Sequence, residues 1–307
     1  MRSYTEAEKC MLLLFAPLMG EKPLGMADFR RMEQTLGALG PDAAGPDGQV
    51  TEQELIRLGL SGEEAGSVLS WLSQGEALAR QLKLLAGRGI VPITRISPEY
   101  PRRLLEKLGR RAPMVLYCAG DLELFEKECV ALVGSRQLRP RGAAFARKLG
   151  QTVAREGLCY VSGGAAGADS AGFSGAMAQG GTAILFLPDS LLARMKKLKR
   201  ELDAGRVLLV SEYGYALHFS IQRAYSRNRL IHAMGEKTFV AQTDYGKGGT
   251  WNGVMENLQH GWSPVWMCAD EPEDPGTKGL LERGCGSIRA AELEGLRDLT
   301  AAQLGLF

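Results

Sequence analysis

Cys129-Val130-Ala131-Leu132-Val133-Gly134-Ser135-Arg136 and, about thirty positions later, Ser162-Gly163-Gly164-Ala165-Ala166-Gly167-Ala168-Asp169 decide how this chain is read. Each stretch ends a short apolar run in a small-residue turn, ahead of a segment with helical composition. The pattern is strand, loop, helix, twice over. In such a unit the loops gather at the carboxyl edge of a parallel sheet. There glycines let backbone N–H groups approach a phosphate, and helix N-termini favour negative charge. Arg136 adds a cation to the first loop, so the expected ligand is an anion.

Working outward from these loops, short apolar runs recur from Ile90 onward. Ile90–Ile93, Met114–Ala119, Cys129–Val133, Leu158–Val161, Ala183–Leu187, Val207–Val210, Thr238–Ala241 and Val265–Met267 read as strands. Helices are expected over Arg141–Glu156, Ala168–Gln179, Leu191–Ala204, Ile221–Met234 and Thr250–His260. Alternation of this kind predicts an α/β fold, a Rossmann-like doubly wound and mostly parallel sheet. Before it lies a small helical N-terminal domain. Thr51 with Glu54 and Ser61 with Glu64 fit capping boxes, and Leu55, Leu58, Val68, Leu69, Leu72, Leu78, Leu82 and Leu85 recur at helical spacing. Gly40–Gly48 reads as a loop between helical pieces. The expected domains are residues 1–88, 89–290 and a short tail, 291–307, with one short helix.

The chain has 307 residues, 45% of them hydrophobic, enough for a large buried core. Its net charge of +2 conceals two segments free of acids, Cys129–Arg155 and Tyr213–Gly235, each carrying several arginines. A near-neutral chain with such segments suggests a focused anion site. The six cysteines are scattered without a C-x-x-C pair and read as buried thiols of a reducing compartment. The apolar run Met11–Ala16 is too short to span a membrane and is stopped by Pro17, so a cytoplasmic address is expected, with no membrane partner.

Neither G-x-G-x-x-G nor G-x-x-x-x-G-K-[ST] occurs in the expected context, which argues against hydride transfer and ATP hydrolysis. His218, His232 and His260 lack metal-ligand spacing and read as surface or packing residues, so no metal, cofactor or catalytic residue is expected. The candidate phosphate-binding residues are Gly134, Ser135 and Arg136 in the first loop, and Ser162, Gly163, Gly164, Gly167 and Asp169 in the second. Asp169 has a second reading as the cap of the helix that follows. A third glycine-rich turn enters a helix at Lys247, Gly248, Gly249 and Thr250. Arg227, Asn228 and Arg229 are read at a helix start, where two guanidinium groups grip phosphate oxygens. Tyr213, Tyr215, Phe219 and Tyr225 are nearby in sequence as stacking surfaces for bases.

Together these residues resemble the DNA-processing protein A family, DprA or Smf. The resemblance runs from Tyr100-Pro101-Arg102-Arg103-Leu104, through Pro113 and Leu116-Tyr117-Cys118-Ala119-Gly120-Asp121, to the two loops. It continues through Ser211-Glu212 and Ser226-Arg227-Asn228-Arg229-Leu230-Ile231 to Gly279-Leu280-Leu281-Glu282-Arg283-Gly284-Cys285. What it implies is an extended Rossmann fold, behind a small helical N-terminal domain, whose basic pocket binds single-stranded DNA. It further implies a homodimer that loads a RecA-type recombinase during natural transformation, with no enzymatic step. The chain departs from the family pattern at Ala166, where a cation is usual, at Phe173, where a histidine is usual nearby, and at Gln242, where a glutamate is usual. Gly246–Trp251 replaces a common Ser-Gly pair, and the winged-helix domain that many members append is not expected.

A second reading is a nucleotide-binding protein of the lysine-decarboxylase-like Rossmann group, a phosphoribohydrolase or a small-nucleotide sensor. Gly248-Gly249-Thr250 resembles that group's glycine-rich loop, but Glu256 comes later after the loop than that group's glutamate.

Overall fold

The structure, a computed structural model, describes residues 2–16 and 50–299. The loop expected over Gly40–Gly48 and the end of the tail lie outside the described residues. Two compact units are present. The first comprises the described residues up to Tyr100 together with Arg110–Tyr117. The second comprises Pro101–Gly109 and the residues from Cys118 onward.

In the first unit, helices span Glu6–Phe15, Glu52–Arg57, Gly62–Leu72 and Gly75–Gly87, followed by strand β1, Val91–Thr94. Both expected capping boxes form: Glu54 N–H donates to Thr51 Oγ1 at 3.3 Å and Glu64 N–H to Ser61 Oγ at 3.2 Å, while each glutamate accepts from its cap residue's backbone N–H. A third box, unforeseen, joins Thr5 and Glu8. Leu55, Leu60, Ala65 and Val68 form the buried cluster beneath these helices. Burial would raise the Glu8 carboxyl, but hydrogen bonds from Ser97, the Thr5 backbone and Arg2 outweigh it and hold the group near pH 2, at about 2.

β2 spans Val115–Gly120. The second unit contains β3 (Cys129–Val133), β4 (Cys159–Ser162), β5 (Thr182–Phe186), β6 (Val207–Ser211), β7 (Lys237–Val240), β8 (Val265–Cys268) and β9 (Gly286–Ile288). These seven lie in the order β6-β5-β4-β3-β7-β8-β9, every neighbouring pair parallel. All five residues of β3 are buried, as a parallel strand covered on both faces demands, which is why its sequence is apolar throughout rather than alternating. The chain lays β4, β5 and β6 outward from β3, then returns to place β7 on its other side. Right-handed crossovers therefore put the helices of the two halves on opposite faces, the doubly wound arrangement expected.

Helix Pro140–Arg155, after β3, packs on helix Ala168–Ala178, after β4. Glycines make that contact close: a Cβ at Gly150 would stand 2.8 Å from the Gly172 carbonyl carbon and 2.9 Å from Ala176 N, and one at Gly175 would strike the Arg147 carbonyl. Two backbones in direct contact fix the starts of both helices, and with them the first two loops.

The structure departs from the sequence reading in three places. The helix expected over Leu191–Ala204 is broken at Leu198 into Leu191–Lys197 and Lys199–Asp203. β9 was not expected, because Gly286-Ser287-Ile288 carries no apolar run and owes its form to pairing with β8. Cys10 is exposed, whereas the other five cysteines are buried; all six are free thiols.

Candidate nucleic-acid interface

The topological switch falls between β3 and β7, and there the strand ends diverge into a crevice, the place where open α/β sheets bind ligands. Two backbone bonds join the loops: Ala241 N–H donates to Val133 O at 3.1 Å and Ser135 N–H to Gln242 O at 2.9 Å. Gln242 also accepts from the Arg139 N–H through Oε1 at 2.8 Å, so a neutral amide does this tethering where a glutamate was the usual family residue. The first loop is further held by Gly167, whose φ of 77° belongs to the left-handed region. A Cβ there would stand 2.6 Å from Arg136 Cα, so only glycine lets the second loop pass this close.

A cavity of about 320 Å3 occupies the crevice. Its walls include Gly134, Ser135 and Arg136 from the first loop, Asp169, Arg227 and Asn228, and Lys247, Gly248, Gly249 and Thr250 from the third loop. A second cavity of about 470 Å3 adjoins it, sharing Arg136, Ala165 and Arg227 and adding Gly163, Gly164 and Ala166. Sequence reasoning thus named most of the walls. It brought together three loops, of which the first and third are more than a hundred residues apart in the chain.

The second loop is built around a buried carboxylate, Asp169, with the buried guanidinium of Arg227 acting on it electrostatically. Asp169 Oδ2 accepts from Gly163 N–H and Ala165 N–H, both at 3.1 Å. Burial raises the Asp169 carboxyl, with Arg227, the two amides and Arg136 opposing. Arg227 is only 4% exposed, and burial lowers its guanidinium against the pull of Asp169 and Asp189. It donates through Nη1 to Phe186 O, while its Nε has no hydrogen-bond partner among the described residues. A Cβ at Gly163 would lie 2.5 Å from Arg227 Cζ. The loop's glycine therefore makes room for the guanidinium. An acceptor oxygen from a ligand would complete that donor set.

In the third loop, Lys247 stands at the N-cap of helix Gly248–His260. Asn228 Nδ2 donates to Gly249 O at 3.1 Å and ties the loop to helix Ile221–Met234. Tyr225, 46% exposed, lines the first cavity, and Phe219, 46% exposed, lines the second. Arg136 Cζ lies 5.2 Å from the centre of the Phe219 ring, within cation–π range.

Several expectations about the site residues are corrected. Asp169 is not the helix cap; Gly167 is, and the carboxylate folds back onto its own loop. Arg227, Asn228 and Arg229 lie in the middle of helix Ile221–Met234 rather than at its start. Arg229 turns from the cavities to pair with Glu212, through Nη1 to Oε1 at 2.8 Å and Nη2 to Oε2. Ser162 is a buried strand end whose Oγ accepts from Gly164 N–H at 3.4 Å. Tyr213 lies under Arg223, 5.9 Å from it, and is absent from both cavity walls, as is Tyr215.

Sequence reasoning missed Thr243 and Asp244 in the first cavity, and Ser170, Pro188, Asp189 and Arg194 in the second. The available signal was position: Thr243 and Asp244 follow one strand end and Pro188 and Asp189 another, on the edge where the glycine loops already lay. Arg194, in a cationic stretch with Lys196 and Lys197, reads as a solvated face. Glu256 lines neither cavity, so the lysine-decarboxylase-like reading gains no carboxylate at the third loop.

Comparison with known proteins follows the same lines. Residues 92–293 match the family model described as DNA recombination-mediator protein A. The DNA processing protein DprA of Streptococcus pneumoniae is 32% identical over 145 residues, which is 45% of this chain and 49% of that protein. Protein Smf of Synechocystis is 30% identical over 157 residues, 49% of this chain and 39% of that protein. The matched part thus spans half or less of these relatives. The X-ray structure of Streptococcus pneumoniae DNA processing protein A superposes with a TM-score of 0.72 at 20% identity, covering 97% of this chain and 99% of that one. This likeness is one of fold. A structure of DNA processing protein A from Helicobacter pylori, described for its single-stranded DNA binding mode, gives 0.55 at 26% identity, covering 65% and 90%.

Proposed function

The chain belongs to the DNA recombination-mediator protein A family, and from that membership we propose that the crevice between β3 and β7 binds single-stranded DNA. The observation that carries this reading is the convergence of Arg136, Arg227 and Lys247 with glycine-turn amides on one crevice, with Tyr225 and Phe219 exposed in its walls. Arginines and amides hold phosphates, and exposed rings stack bases. In the first cavity neither carboxylate is set to activate water: Asp169 is engaged with two amides and Asp244 is exposed. The protein acts by binding rather than by turnover, loading a RecA-type recombinase as a homodimer in the cytoplasm. No described helix is long and apolar enough to cross a membrane.

Titration of oligo-thymidine against salt tests this. With two to three phosphates neutralised, single-strand counterion release predicts a loss of roughly 7- to 20-fold between about 50 and 200 mM salt. A flat response, with tight binding of a nucleoside monophosphate instead, favours a small-ligand pocket.

A further inference from the structure

The second cavity differs from the first in carrying a half-buried carboxylate, Asp189, and a guanidinium, Arg194, whose side chains have no hydrogen-bond or ion-pair partner among the described residues. Pro188 and the Phe219 ring supply apolar wall beside them. A carboxylate with little water to screen it repels a phosphate, so this compartment suits the neutral end of a nucleotide. Asp244 of the first cavity, by contrast, is exposed. The two polar groups also select among bases. A carboxylate matches two adjacent donors, and a guanidinium fork matches two adjacent acceptors. Guanine offers both, N1–H with N2–H for the first and O6 with N7 for the second; thymine, cytosine and adenine each lack at least one of these pairs.

We propose that the second cavity is a base-reading subsite for guanine, with Asp189 accepting from the base's N1–H and N2–H and Arg194 donating to O6 and N7. The inference rests on the reading of the crevice as a single-stranded DNA site. Stacking against Phe219 and a phosphate on Arg136, which both cavities share, connect the subsite to the first cavity.

The test is fluorescence anisotropy on the full chain with three labelled oligomers: oligo-thymidine, the same oligomer with isolated guanosines spaced to prevent quadruplexes, and one with inosine in their place. The guanosine oligomer is expected to bind about tenfold tighter than oligo-thymidine, the span of one good bidentate pair. Inosine, lacking the N2 amino group, is expected to lose most of that gain. Asp189→Asn is expected to erase the preference, so that the guanosine and thymidine oligomers bind the variant with equal affinity. Arg194→Ala is expected to lower both affinity and preference. Equal affinity for the guanosine and thymidine oligomers, or a preference that survives Asp189→Asn, overturns the subsite alone. Failure to bind any of the oligomers overturns the DNA reading and the subsite with it.

Discussion

Replacing Arg136 with alanine is expected to weaken oligo-thymidine binding by roughly ten- to a hundredfold, from the loss of about 1.5–3 kcal/mol of charge-assisted hydrogen bonding. Arg136 lines both cavities and lies over the Phe219 ring, so its removal costs a phosphate contact and loosens a stacking wall. Arg136→Lys keeps the charge but not the planar fork, and an intermediate loss is expected. Arg139→Ala supplies the comparison three residues on. That guanidinium is paired with Glu271 and Asp274 and lines neither cavity, so binding is expected to change little. Equal effects of the two substitutions in folded protein, measured by anisotropy, contradict the assignment.

The largest stability effect is expected at Gly150. Alanine there gains about 1 kcal/mol of helix propensity. Its Cβ, however, would enter the backbone of the neighbouring helix, 2.8 Å from one atom and 2.9 Å from another after striking the Gly172 carbonyl oxygen. Overpacking costs about 1–3 kcal/mol where side chains yield. Here two backbones must separate, so a net loss of about 2 kcal/mol or more is expected. For a unit of this size that is a fall of about 4–8 °C in melting temperature. Gly66→Ala is the control: Gly66 lies in helix Gly62–Leu72 with nothing within 4 Å of its added Cβ, and a gain of up to about 1 kcal/mol is expected. Calorimetry showing Gly150→Ala at or above the wild-type stability would mean that the helix contact yields easily and does not fix the loops.

The parts of this fold that were legible in the sequence are those governed by local rules. β3 and helix Ile221–Met234 were read with their observed ends, because an unbroken apolar run and a long periodic segment declare themselves. Glycine turns at three strand ends located the crevice. What was not legible depended on partners distant in the chain. Arg229 looked equivalent to Arg227, two residues earlier, yet a helix turns such neighbours onto different faces, and Glu212 captures one while the cavities receive the other. Asp169 was read as a helix cap from its place after a glycine loop. The helix begins at Ala168, where it was expected, so Asp169 lies in its first turn and its carboxylate turns back onto the Gly163 and Ala165 amides. Asp189 and Arg194 belong to no motif, and only the sheet order brings them to the edge of the crevice.

The central claim, that single-stranded DNA lies in the crevice between β3 and β7, is tested most directly by photocrosslinking. Oligomers carrying 4-thiothymidine at successive positions are irradiated with the full chain, and the adducts are mapped by mass spectrometry. The account predicts adducts at Tyr225 and Phe219, the exposed rings of the two cavities, suppressed by unlabelled oligo-thymidine and by Arg136→Ala. Adducts confined to surfaces away from the first and third loops, or unaffected by Arg136→Ala, contradict it.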